Sequence, residues 1–342
     1  MELQNSIIDY DELRKVLLEQ DNYILTTHVN PDADAIGSTM ALYLYLISLN
    51  KTVSIINYSA TPYNLTFLDP QGVIQVYRPE LHNALIADAK TIVALDFNTF
   101  DRTVKMRPHF ENSLAVKICI DHHQHPDKIF NYLFSDILCC ATGHILYNLF
   151  KTMPNNVFTK EIAANLYSAI MTDTGSFRYD RTTPEVHLIA AHLLEIGVDP
   201  NDIYDKIYEQ NKYSKLKLLG QCIAGIELYG DGLVSVMKIR TEMVRESEST
   251  EEDTDGYVRH CMSIDGVMLG LMFVELPEGF KVSVRSKSTL SAGDFARSYG
   301  GGGHLNAAGI RIRDRQFDDM QTEIIESAVE FAKNWLKGNE KL

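Results

Sequence analysis

The chain is short of the features that mark secreted, membrane-spanning and nucleic-acid-coating proteins. It carries five cysteines (Cys119, Cys139, Cys140, Cys222 and Cys261). The number is odd and no C-x-x-C spacing occurs, so buried free thiols are expected in place of a zinc ribbon or a disulfide framework. The opening MELQNSIIDYDELRK is acidic where a signal peptide is basic and then apolar. The longest apolar stretch near it, Ala41 to Leu49, is broken by Ser48 and falls far short of the ~20 residues that span a bilayer. Positive charge is scarce: 32 Lys and Arg stand against 46 Asp and Glu, a net of −14. Such a chain has no general affinity for long nucleic acid, although a local positive site can still take a small phosphorylated ligand. A soluble cytoplasmic protein without membrane association is the expectation. In that setting the sequon Asn64-Leu65-Thr66 carries no chemistry.

What is present is ordinary globular composition, with 45% apolar and 23% charged residues over 342 positions. At about 150 residues per domain this suggests two domains. The first two hundred residues alternate short β-branched runs with longer helical patterns, the mark of βαβ units on a doubly wound, mostly parallel sheet. Strands are expected at Tyr23–Thr27, Val53–Asn57, Thr91–Asp96 and Val116–Asp121. Helices are expected at Ala35–Leu49, Thr142–Lys151, Lys160–Met171 and Pro184–Glu195, the last with Pro184 in its first turn, a cap at Thr182 or Thr183, and Gly197 as its stop. The charged, Lys/Tyr-rich stretch 201–220 reads as a linker helix between an α/β domain over 1–200 and a smaller α+β domain over 221–342. In that second domain strands are expected at Cys222–Tyr229, Leu233–Ile239, Val267–Leu276 and Lys281–Arg285, and a terminal amphipathic helix at Gln316–Leu336. The acidic run Glu246–Asp255 reads as a solvated loop or helix start.

Four polar clusters fall at the ends of apolar segments. They are His28, Asp32 and Asp34 after the first strand, Asp96 at the end of TIVALD, Asp121-His122-His123 at the end of VKICID, and Asp173 after a helical segment. In an open parallel sheet the carboxyl ends of the strands line one crevice, so these residues can converge. Gathered there, the carboxylates repel one another unless cations neutralise them. Mixed carboxylate and imidazole ligands suit a divalent ion such as Mn²⁺, and their number suffices for two ions sharing a carboxylate, an arrangement used to hydrolyse phosphoesters. His144, His187 and His192 lie on apolar helical segments and read as packed residues.

A second cluster joins Arg285, at the end of its strand, to Gly300-Gly301-Gly302-Gly303-His304. Consecutive glycines let backbone N–H groups approach an anion closely, and a helix beginning within Leu305–Ala308 would add its positive end. Arg285 and His304 would complete a phosphate cradle inside an acidic protein.

With these motifs in order, the sequence resembles the DHH phosphoesterase superfamily with its DHH-associated C-terminal domain. The resemblance rests on H-x-x-P-D-x-D-A-x-G-S at His28–Ser38, the single Asp96, the Asp-His-His that names the family, T-D-T-G-S-F at Thr172–Phe177, Val-Arg-Ser at Val284–Ser286 and G-G-G-H-x-x-A-A-G at Gly301–Gly309. It implies that His28 and Asp32 hold one manganese, that Asp34, His122 and Asp173 hold the other, and that Asp96 bridges both, with Mg²⁺ or Co²⁺ as alternative ions. A water between the ions would be the nucleophile. His123 would touch the scissile phosphate, and Asp121 would orient a neighbouring histidine. Arg102, Arg285, Gly302, Gly303 and His304 would hold substrate across an interdomain cleft.

Within the superfamily the two-domain form resembles the nano-RNase/pAp phosphatase group. This implies short RNA oligomers and 3′-phosphoadenosine 5′-phosphate (pAp) as substrates, with no track for long nucleic acid; a homodimer is left open. Asn98 and Thr99 stand where the family often has an acidic residue. A cyclic di-AMP or pApA phosphodiesterase would use the same metals and cradle. Pyrophosphatase or exopolyphosphatase activity fits the second cluster less well. An inert nucleotide sensor would need a broken ligand set, and all six proposed ligands are intact.

Overall fold

The computed structural model describes residues 8–303 and 305–339. Its contacts divide the chain between Gln210 and Asn211 into two compact units. The first is built on β1 (Tyr23–Thr26), β2 (Val53–Asn57), β3 (Ile74–Val76), β4 (Thr91–Leu95), β5 (Val116–Asp121) and β6 (Tyr132–Ser135). They lie in the order β3-β2-β1-β4-β5-β6, and every pairing is parallel. This is the doubly wound arrangement the sequence leads one to expect, and its strand order reverses between β1 and β4. Around it run α1 (Tyr10–Glu19), α2 (Ala33–Ser48), α3 (Pro79–Asp88), α4 (Arg107–Asn112), α5 (Thr142–Lys151), α6 (Lys160–Asp173), α7 (Pro184–Glu195) and α8 (Pro200–Tyr208).

The sheet is buried on both faces, as parallel sheets require. Tyr23, Leu25, Val93, Leu95, Ile118 and Ile120 face a core completed by α2, α5 and α6. Ile24, Ile56, Ile92 and Ala94 face the other way, onto Ile86 of α3 and Phe110 of α4. On the first face α2 and α6 pack so closely that a Cβ on Gly37 would come 2.5 Å from the carbonyl oxygen of Asn165. Only a bare backbone fits there. The cap expected for α7 is Thr183, whose hydroxyl accepts from Val186 N–H.

The second unit holds α9 (Tyr213–Ala224), β7 (Glu227–Tyr229), β8 (Val234–Ile239), α10 (Thr241–Glu246), α11 (Val258–Met262), β9 (Leu269–Glu275), β10 (Phe280–Ser286), α12 (Ala292–Arg297), β11 (Gly302–Gly303), β12 (Ala307–Ile312) and α13 (Phe317–Asn339). Its sheet runs β11-β12-β10-β9-β8-β7 and is mixed, with β8 and β9 parallel and the other pairings antiparallel. Phe280, Val282 and Val284 of β10 pack against Phe317, Ile324 and Ala328 of α13. The intervening Lys281, Ser283 and Arg285 are only half-buried, the period-two pattern of a one-sided strand. Among the described residues no helix is long and apolar enough to cross a membrane.

Three local expectations fail. The stretch 201–220 is not one linker helix: α8 stops at Tyr208 and α9 begins at Tyr213, with the division between units in the gap. Cys222–Tyr229 is not a single strand either. Cys222 closes α9 against the buried Met237 and Met272, Gly225 ends that helix, and only Glu227–Tyr229 pairs with β8. Leu305–Ala308 begins no helix. Ala307 and Ala308 pair with Arg285 and Val284, because the free edge of β10 offers a ladder of hydrogen bonds that a single helical turn does not. The acidic run Glu246–Asp255 does form a loop with a short 3₁₀ turn, where the buried Asp253 accepts from Thr250 N–H and Oγ1–H.

Candidate metal centre

The strand ends of the first unit bring the metal-type residues together at the point where the strand order reverses. β1 passes through Thr26 and Thr27 into His28, and the Thr27 hydroxyl donates to the Leu95 carbonyl at 2.8 Å, tying the end of β1 to the end of β4. After Pro31, Asp32 caps α2 by accepting Ala35 N–H, which places Asp34 in the first turn of that helix. Asp96 follows β4 with φ at +64°, an uncommon conformation for a non-glycine residue, and its side chain is buried. Asp121 ends β5, so His122 and His123 leave the sheet at the same level. Asp173 is the last residue of α6.

Three sets of ligand atoms each fall within 4.8 Å of one another: His28, Asp32 and Asp96; Asp34, His122 and Asp173; and Asp96, His122 and His123. Asp96 and His122 belong to two sets each. The Asp96 Oδ2 lies 3.4 Å from His28 Nε2, and its Oδ1 lies 3.4 Å from His122 Nε2. His122 Nε2 also lies 3.2 Å from Asp173 Oδ2 and 3.8 Å from Asp34 Oδ2. His123 also meets Asp121: its Nδ1 is 2.7 Å from Asp121 Oδ1 and 3.8 Å from Asp96 Oδ1, and its backbone N–H donates to Asp121 Oδ2 at 3.0 Å.

The electrostatics fit a cation. Burial works against charge on His122, yet hydrogen bonds to Asp173 and Asp96 and the charge of Asp34 outweigh it and hold the imidazole up to about 11. Burial likewise opposes ionisation of Asp96, but His122 and His28 keep it ionised, well below the usual carboxylate range. Asp34 has less such help, and burial together with the charges of Asp96 and Asp173 pushes it well up. His122 thus faces the carboxyl groups of Asp34, Asp96 and Asp173 with a positive charge that its hydrogen bonds favour. A divalent ion would supply that charge directly and displace the proton. The donor set, imidazole nitrogen and carboxylate oxygen without thiolate, suits the harder first-row ions.

Around these side chains stands a ring of hydrogen-bond donors. Thr142, the first residue of α5, donates its backbone N–H to Asp34 Oδ2 at 2.7 Å and its hydroxyl to Asp96 Oδ1 at 3.0 Å. Gly143 N–H and Ser38 Oγ–H donate to Asp34 Oδ1 at 2.9 and 2.8 Å. Asn98, also buried, donates from Nδ2 to the carbonyls of His123 and Gln124, both at 3.1 Å. Ser38 was accessible from sequence, since it lies one helical turn after Asp34. Thr142 and Asn98 act across the fold and left no periodic signal.

Of the residues proposed to hold substrate, Arg102 lies beside this centre. Its Nη1 donates to the Asp96 carbonyl at 3.5 Å, and its own carbonyl accepts Val29 N–H at 2.8 Å. The others are in the second unit. Arg285 is on β10 opposite Ala307, its Nη1 donating to the Val284 carbonyl at 3.0 Å, and Gly302 and Gly303 pair with Gly309 and Ala308. His304 lies outside the described residues. Of the three histidines set aside as packed, His144 is buried, and His192 Nδ1 meets the Tyr147 hydroxyl at 3.0 Å. His187 stacks on Phe177.

Residues 22–170 match the model of the DHH family N-terminal domain, and residues 233–338 match the DHHA1 domain. The bifunctional oligoribonuclease and PAP phosphatase NrnA of Thermus thermophilus is 31% identical over 306 residues, covering 90% of this chain and 89% of that protein. Its namesake from Bacillus subtilis is 25% identical over 318 residues, covering 91% and 97%. A crystal structure of an exopolyphosphatase-related protein from Bacteroides fragilis superposes with a TM-score of 0.91 at 31% identity, covering 96% of this chain and 97% of that one. The chain belongs to the DHH family, with a DHHA1 domain matched over residues 233–338.

Proposed function

We propose that this chain is a metal-dependent phosphoesterase that hydrolyses oligoribonucleotides of a few residues to mononucleotides and pAp to AMP. The observation that carries the reading is the pair of ligand sets around Asp96, one with His28 and Asp32, the other reached through His122 with Asp34 and Asp173. The names of the Thermus and Bacillus relatives supply the substrate class. Two divalent ions, Mn²⁺ in the first place and Mg²⁺ or Co²⁺ otherwise, would supply Lewis-acid polarisation of the phosphoryl group and a water of lowered pKa.

The chain's own residues divide the remaining work. His28 and Asp32 hold one side of the centre; Asp34, His122 and Asp173 hold the other; and Asp96 spans them. Asp121 accepts the His123 Nδ1 proton and thereby fixes the ring, which leaves Nε2 for the scissile phosphate and, when protonated, for the leaving oxygen. Arg102 would hold substrate beside the centre, and Arg285, Gly302, Gly303 and His304 are the candidate phosphate-binding residues of the second unit. Five buried free thiols suit a reducing cytoplasm.

Hydrolysis of pAp, a short RNA, pApA, cyclic di-AMP and pyrophosphate, compared side by side with Mn²⁺, tests this. Cleavage of the short RNA and release of phosphate from pAp are expected. Turnover confined to the cyclic dinucleotide or to pyrophosphate would replace the substrate assignment.

A further inference from the structure

The N-terminus of α5 is capped in an unusual way. Its N-cap residue, Ala141, has no side chain to accept the first free N–H groups of the helix, which usually falls to Ser, Thr, Asp or Asn. The acceptor is instead the Asp34 carboxylate, reaching from α2 to Thr142 N–H and Gly143 N–H. Gly143 makes this approach possible: a Cβ there would come 2.6 Å from Ala169 Cβ on α6 and 3.5 Å from Asp34 Oδ1. Thr142 then adds its hydroxyl to Asp96 Oδ1. Thr142 is fully buried. A single residue thus holds one carboxylate from each of the two ligand sets, through its main chain for Asp34 and its side chain for Asp96.

We infer that Thr142 is a positioning residue for the metal centre, setting the distance and orientation of Asp34 relative to Asp96 so that both ligand sets are formed before a cation arrives. The inference rests on the metal-dependent reading above. A buried carboxylate whose lone pairs are partly taken by fixed donors presents the rest in one direction, and outer donors of this kind typically govern affinity about 10–100-fold. Asp34 fits: Oδ1 accepts from Ser38 and Gly143, and Oδ2 accepts from Thr142 while facing His122. Asp96, held in a left-handed backbone conformation, has the Thr142 hydroxyl as the neutral donor to its Oδ1 among the hydrogen bonds at this centre.

The test is calorimetric titration of Mn²⁺ into the full-length metal-free protein, with thermal unfolding of the same samples. Thr142→Val keeps the side-chain shape and the backbone N–H but removes the hydroxyl, and is expected to weaken Mn²⁺ binding by about tenfold or more. Thr142→Ser restores the hydroxyl and is expected to bind within about threefold of wild type. A Val variant that melts earlier yet binds Mn²⁺ with wild-type affinity would show that Thr142 merely packs, and would overturn the inference. If the Val variant does not fold, Thr142→Ala, which also lacks the hydroxyl, takes its place with the same two outcomes. Absence of Mn²⁺ binding by the wild-type protein itself would instead remove the metal-dependent reading.

Discussion

Asp121 grips His123 twice, through Oδ1 on the ring Nδ1 at 2.7 Å and through Oδ2 on the backbone N–H at 3.0 Å. A carboxylate in that position can only accept, so neutral His123 carries its proton on Nδ1 and keeps Nε2 free. Asp121→Asn would put a donor group into the same pocket and release the tautomer. The expected result is a fall in kcat of about a hundredfold with KM changed little, since the ring still occupies its place. A proportional rise in KM with kcat unaltered would show that Asp121 serves substrate binding alone.

Asp96→Ala removes the carboxylate that belongs to two of the three ligand sets. Mn²⁺ stoichiometry should fall below that of the wild type, and turnover of pAp should drop by more than about a hundredfold. Activity within about tenfold of the wild type would be incompatible with a shared ligand at this position.

The Asn98 amide donates to two main-chain carbonyls of the His123 segment. Asn98→Asp would lose both donors and set a buried carboxylate against two carbonyl oxygens, costing about 1–3 kcal/mol at neutral pH. The new carboxyl would titrate higher in the folded than in the unfolded protein. Its penalty is therefore complete above the raised folded pKa and shrinks as pH falls toward the unfolded value of about 3.9, where the protonated group can donate. Denaturant unfolding at several pH values reads this directly, and a deficit that grows on acidification would contradict it.

Val104 adopts φ +53° and ψ −115° within the 3₁₀ segment Phe100–Met106, a conformation a β-branched residue reaches only under strain of about 1–3 kcal/mol. Its side chain is exposed, so little burial is lost on truncation. Val104→Gly should leave the unfolding midpoint unchanged or raise it, against the usual cost of about 1 kcal/mol for adding a glycine. Destabilisation beyond about 1 kcal/mol would show that the valine is at ease there.

All five thiols are free and buried. Desolvation pushes Cys139 and Cys222 up to about 12 and Cys261 up to about 11, and raises Cys119 and Cys140 as well. Thiolate is the reactive species, so a thiol reagent at pH 8 should label none of them in the native protein and all five after denaturation. Rapid labelling of a single native thiol would identify a site that opens in solution.

The parts of the fold legible in sequence were those whose signal is local. Val53–Asn57, Val116–Asp121, Thr142–Lys151 and Pro184–Glu195 begin and end where apolar runs, a proline and a cap place them. The ligand-type residues were visible because they cluster shortly after apolar runs. What stayed hidden depends on partners elsewhere in the chain. β3 and β6 are only three and four residues long and lie at the two sheet edges, where hydrophobic patterning is weakest. Ala307–Ile312 becomes a strand because β10 offers an edge, which nothing in Leu305–Ala308 reveals. Thr142 and Asn98 owe their roles to carboxylates and carbonyls brought to them by the sheet.

The cap of α5 also bears on the order in which the molecule matures. Asp34 and Thr142 are 108 positions apart, so the helix gains its N-terminal acceptor only once α2 has docked beside it. On the metal-dependent reading, the Asp34 side of the centre takes its orientation only where α2 and α5 are packed together, which ties cation binding on that side to long-range tertiary structure.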